Sequence, residues 1–125
     1  MQDGFYKSRP LAAAIAGNLI AAFTGTEQRV AVASNAAAPF AGITDSVGGS
    51  GSLVDLQLTQ EADVRYGGSV KAGDPLMAAP DGTGRAVKAV KPGAGATVYV
   101  IGIAQLDGVI DDFGKVLIAP SVLLG

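Results

Sequence analysis

The chain has 125 residues and a formal net charge of −2; 49% of its residues are hydrophobic and only 16% charged, and it holds neither cysteine nor histidine. That length supports a single core, and the missing residue types remove disulfides, thiolate and imidazole catalysis and the common zinc ligand sets. The charges are scattered, with no basic stripe for phosphates and no polybasic run for an anionic surface, so neither nucleic acid nor a membrane is expected as a partner.

In chain order, residues 1–14 read as an extended N-terminal arm. Asp3, Lys7 and Arg9 surround Phe5 and Tyr6, and Pro10 blocks continuation as a helix or central strand. The two aromatics either fold back on their own domain or dock on a neighbouring subunit. Leu11 to Phe23 is apolar but too short to span a bilayer. Lys7, Arg9 and Ala12-Ala13-Ala14 imitate a signal peptide weakly, but the segment takes part in an internal repeat, which argues for a place in the fold. Its Ala-rich content favours helix, whereas its match to a later strand pattern favours a strand beginning near Leu19.

Gly25 to Gln28 is a turn, Arg29 to Ala33 a strand, Ser34 to Pro39 a loop, Phe40 to Thr44 a short strand and Val47 to Ser52 a flexible tip. Leu53 to Leu58 sets Asp55 and Gln57 on one face and Leu56 and Leu58 on the other, the pattern of a half-buried strand. Glu61 to Gly68 reads as a linker in which Val64 and Tyr66 alternate with polar residues. Next come an apolar stretch with a Gly73-Asp74-Pro75 corner, a turn at Pro80 to Gly84, an alternating Arg85 to Val90 and a turn at Pro92 to Gly95. Thr97 to Ala104 is the most strand-like run, Gly108 to Gly114 a loop, and Lys115 to Pro120 the closing strand. The tail Ser121 to Gly125 is apolar and charge-free, so it is expected to pack on the domain or on a partner.

The chain reads as a duplicated β unit, with units 15–58 and 70–120. At an offset of 56, Ala16-Gly17-Asn18 falls on Ala72-Gly73-Asp74, Ala22 on Ala78, Arg29 on Arg85 and Ala33 on Ala89; at an offset of 60, Gly42-Ile43 falls on Gly102-Ile103. The expected fold class is all-β, a small barrel or sandwich, with residues 15–125 as one domain.

Candidate chemistry is sparse. Asp107, Asp111 and Asp112 could join in a calcium loop, but Gly108-Val109-Ile110 supplies no side-chain oxygen between them, so a solvated loop is expected. The glycine clusters at 48–52 and 93–95 lack the Lys-Ser/Thr end and the following helix of a phosphate cradle. No catalytic residue, metal site or cofactor is assigned.

Val70-Lys71-Ala72-Gly73-Asp74-Pro75-Leu76 resembles the corner of biotinyl and lipoyl carrier domains, which keeps a small carrier or ligand-binding β-barrel open as the alternative; the Met-Lys pair of those carriers is missing. A wider resemblance runs from Gly17 to Gly125. Ala72 to Leu76, Asp81-Gly82, Ala86-Val87, Val100 to Ala104 and Val116 to Pro120 follow an order similar to that of the small capsid decoration, or cement, proteins of tailed bacteriophages. That resemblance implies an all-β, non-enzymatic virion protein made in the host bacterial cytoplasm. It would bind the outside of the shell of major capsid protein and stabilise it as a homo-oligomer, a trimer or a dimer. The candidate capsid or subunit interface is Phe5, Tyr6, Lys7 and Arg9 of the arm with Val122, Leu123 and Leu124 of the tail.

Overall fold

The structure, a computed structural model, describes residues 6–11, 15–25, 29–45, 48–49 and 53–124. These form ten strands: β1 Tyr6–Pro10, β2 Ile20–Phe23, β3 Val30–Val32, β4 Phe40–Thr44, β5 Leu53–Gln57, β6 Glu61–Arg65, β7 Pro75–Ala78, β8 Ala86–Lys88, β9 Thr97–Ala104 and β10 Phe113–Leu124. They make two five-stranded antiparallel sheets, ordered β1-β5-β4-β2-β3 and β6-β10-β9-β7-β8. Neither sheet closes on itself. The architecture is all-β and sandwich-like, the second of the two forms expected.

Adding five to every strand number of the first sheet gives the second, so residues 6–58 and 61–124 repeat one topology. The repeat extends to single bonds and bridges. Leu11 bridges Val30 as Tyr66 bridges Ala86, and Ile15 bridges Gly49 as Val70 bridges Gly108. The amide of Thr44 donates to the Leu19 carbonyl (2.9 Å) and that of Ala104 to the Asp74 carbonyl (2.8 Å). Each unit also carries a register shift in the same place, between Ala21 and Ala22 and between Leu76 and Met77.

The register differs from the sequence reading in one segment. Over β3 and β8 the offset is 56, since the amides of Ala33 and Ala89 donate to the carbonyls of Ile20 and Pro75. Over β2 and β7 it is 55, because Ala21 and Leu76 hold equivalent pairings. The residue that matches Gly73 is therefore Asn18. Both sit in the left-handed region, at φ 60 for Asn18 and φ 94 for Gly73, a conformation Asn tolerates almost as Gly does. Matching Gly to Gly by letter had shifted the alignment by one.

Alternation explains the core. One cluster in the first unit contains Leu11, Ile15, Ala21, Val30, Ala41, Val54 and Leu56. Their repeat equivalents Tyr66, Val70, Leu76, Ala86, Ile101 and Val116 lie in the other cluster, with Gly114 in the place of Val54. The second cluster also takes in Ile20, Ala22, Ala33 and Ile43 of the first unit, so it seals the two units together.

Two segments depart from expectation. Glu61 to Gly68 is not a linker: its first five residues are β6, paired with β10, because Ala62, Val64 and Tyr66 alternate and are at most 1% exposed. The connection lies just before it at Leu58 to Gln60, where the buried Gln57 side chain donates to the carbonyls of Thr59 and Glu61, each at 2.9 Å. In the expected arm, Tyr6–Pro10 is extended but pairs with β5 along its length, so it is the counterpart of β6 and not a free segment. Units beginning at 15 and 70 each omit this first strand. Residues 1–5, 12–14, 26–28, 46–47, 50–52 and 125 lie outside the described residues; these include Phe5 and most of the expected tip at Val47 to Ser52.

Candidate docking surface

The acidic residues singled out as candidate ligands are engaged locally. Asp111 pairs with Arg85 at 2.8 Å, Asp112 accepts from the Val109 amide at 3.0 Å, and Asp107 accepts from the Ala72 amide at 2.8 Å. Among the described residues no group of three or more acidic side chains is placed to hold a metal ion. The Gly73-Asp74-Pro75 corner is likewise closed on itself, with the Lys71 amide donating to Asp74 at 3.0 Å. This chemistry shapes loops.

Apolar surface is the more informative feature. A groove of about 500 Å³ runs between the two units, lined by Phe23, Phe40, Leu58, Tyr99, Pro120 and Val122 among others. Three of the chain's seven aromatic residues therefore stand along one groove. Phe23 and Phe40 come from β2 and β4 of the first unit, and Tyr99 and Val122 from β9 and β10 of the second. The backbone at this seam is fixed by the Tyr99 amide, which donates to the Ala36 carbonyl at 2.8 Å. The guanidinium of Arg9 lies 5.2 Å from the centre of the Phe23 ring.

Two residues of the expected interface lie at or beside this groove. Arg9 reaches the groove through Phe23, and Val122 lines it. Lys7 is exposed on β1, Leu123 is half-buried, and Leu124 is exposed at the end of β10. Sequence reasoning missed Phe23, Phe40, Leu58 and Tyr99. Each occupies an ordinary strand or strand-end position, and only the packing of the two units reveals that it lines a groove.

The last part of β10 has an open edge. Its pairing with β6 stops at Leu117, whereas its pairing with β9 continues through Ser121 to Leu124. Among the described residues no strand pairs with the other side of Ser121 to Leu124, which carries no charge and exposes Val122 and Leu124 at 49% and 68%. By contrast, the edge strand β1 carries Lys7, Arg9 and Pro10, the usual guards against strand addition.

A second apolar feature lies at the opposite end of the β9–β10 hairpin. Leu106, Val109, Ile110 and Phe113 are each 45–58% exposed. Their loop is held by the Tyr66 hydroxyl, which donates to the Leu106 carbonyl at 2.8 Å, and by paired backbone bonds between Val70 and Gly108. Arg65 also stacks 4.5 Å from the centre of the Phe113 ring. The equivalent loop of the first unit, 45–53, is built mainly from Ser and Gly, so the fold itself does not require apolar side chains here.

No family model and no curated protein matches the chain. Among solved structures, the head fiber gp8.5 N base of bacteriophage phi29 matches with a TM-score of 0.67 over 92% of this chain and 93% of that chain. The two share 16% sequence identity. The likeness is one of fold, and it covers both units.

Proposed function

We propose that this chain is a non-catalytic structural protein of a phage virion that docks on the outside of the capsid and stabilises the shell of major capsid protein. The observation that carries this reading is the fold likeness, over nearly the whole of both chains, to a protein of a phage head fiber. The surface supports the same reading: an aromatic groove beside an uncharged open strand edge suits docking on a protein more than it suits chemistry. Many copies on a symmetric shell also make modest individual contacts sufficient.

Cosedimentation of the purified chain with shells of its own phage tests this. The wild type is expected to pellet with shells and to raise the temperature at which they break open. Tyr99→Ala and Val122→Asp are expected to weaken binding on the order of tenfold or more, as loss of a buried aromatic anchor does, with an unchanged circular dichroism spectrum. A wild-type chain left in the supernatant at every concentration would rule the proposal out.

A further inference from the structure

The two units differ in how one strand ends. β5 stops at Gln57, and the chain turns through Leu58 to Gln60 into β6. β10 pairs with β6 as far as the equivalent residue, Leu117, just as β5 pairs with β1 as far as Gln57, and then continues to Leu124. The fold does not require that extension, since the first unit completes its sheet without one.

The pairing of the extension shows where its backbone groups point. On the β6 side, the Ile118 amide donates to the Gln60 carbonyl at 2.7 Å. Val122 lies opposite Tyr99, whose amide points away from β10 to the Ala36 carbonyl. The two are therefore a non-hydrogen-bonded pair, so the N–H and C=O of Val122, and by alternation those of Leu124, point to the side that β6 leaves open. Groups spaced two residues apart along an edge are matched by one extended strand. Such a strand lies in line with β6 and antiparallel to β10, as β6 and β9 are.

The aromatic groove borders this edge, since Leu58, just before β6, and Ser121 and Val122 of β10 all line it. None of its described lining residues is charged. Alternate side chains of an added strand stand on the same face as Val122 and enter the groove.

We infer that the chain grips the shell by strand addition: an extended, uncharged segment of the major capsid protein, apolar at every second residue, pairs with Val122 and Leu124 and sets its apolar side chains in the groove. This deepens the docking reading above and rests on it. The site selects the chemistry of its partner. Open backbone groups select an extended chain, and an uncharged groove rejects charged side chains, which it would leave buried and unpaired.

Hydrogen exchange with purified shells of its own phage tests this, read residue by residue after the chain is released. In the free chain the Val122 and Leu124 amides are expected to exchange faster than those of Ser121 and Leu123, which face β9; on shells, Val122 and Leu124 are expected to slow by on the order of tenfold or more. Val122→Ala trims only the side chain, whereas Val122→Pro also removes the N–H, at an edge position that tolerates proline. Val122→Pro is therefore expected to bind shells more weakly than Val122→Ala by on the order of tenfold. The exchange readout stands even if Val122→Pro fails to fold. A bound chain whose two amides still exchange freely overturns strand addition and leaves docking standing, as do equal affinities of Val122→Pro and Val122→Ala. Protection of both amides that rises with chain concentration in the absence of shells also overturns it, and gives the edge to a second copy. A wild type that binds no shells overturns the docking reading and this inference with it.

Discussion

Tyr66 shows how the two units reached the same fold with different side chains. It is fully buried, and its ring occupies the space a Cβ at Gly114 would need. In the first unit the equivalent pair is Leu11 and Val54: there both strands supply an aliphatic side chain, whereas in the second unit the Tyr66 ring fills the space left by a glycine on the next strand. Gly114→Val is therefore expected to destabilise by about 1–3 kcal/mol through overpacking, and Tyr66→Leu by about 2–3 kcal/mol through a cavity and the lost bond to Leu106. Combined, they should cost less than the sum by about 1–3 kcal/mol, measured as a double-mutant cycle in urea. Burial also holds the Tyr66 phenol above its ordinary pKa of about 10, against the weaker opposing effect of its bonds to backbone. Its folded pKa is raised, so this contribution to stability is fully present below pH of about 10 and is lost as pH rises through the raised value. Absorbance of tyrosinate against pH should show Tyr66 ionising only as the chain unfolds, and Tyr66→Phe should remove that coupling.

At the scale of elements, the turn before β2 and its twin before β7 make the repeat testable. Asn18→Ala keeps the left-handed backbone but removes the polar side chain that favours it and that donates to the Asp63 carbonyl at 3.3 Å, and is expected to cost about 1–2 kcal/mol. Gly73 has open space around a Cβ, so Gly73→Asn should cost less than Gly73→Ala in thermal melts. The strands were legible where alternation was strong and turn residues bounded it: β9 runs over the predicted Thr97 to Ala104, and β4 over Phe40 to Thr44. β6 was hidden because Asp63 and Arg65 face away from the core and look like linker residues, while Gly67-Gly68 suggests a break. The groove was illegible for another reason. Phe23 and Tyr99 are distant in sequence, and only the docking of β2 and β4 against β9 and β10 brings them together.

For the whole molecule, two copies of one five-stranded unit share a sealed core, and each copy presents a different surface: charged and proline-guarded at β1, apolar and open along the end of β10. Sequence reading reached the all-β class and the repeat, because these follow from alternation and turn chemistry. The placement of the interface follows from packing between units, which no local pattern encodes. The docking surface proposed above is the aromatic groove at the seam between the units, which Val122 of the expected interface lines. Imaging of intact virions by electron cryomicroscopy at a resolution that shows strands is the most direct measurement. Density for this two-sheet fold is predicted on the outer capsid surface, at symmetry-related positions, with the Phe23, Phe40 and Tyr99 groove or the β10 edge against the major capsid protein. Virions that contain the chain at no ordered site on the shell, or heads equally stable without it, would contradict a capsid-docking role.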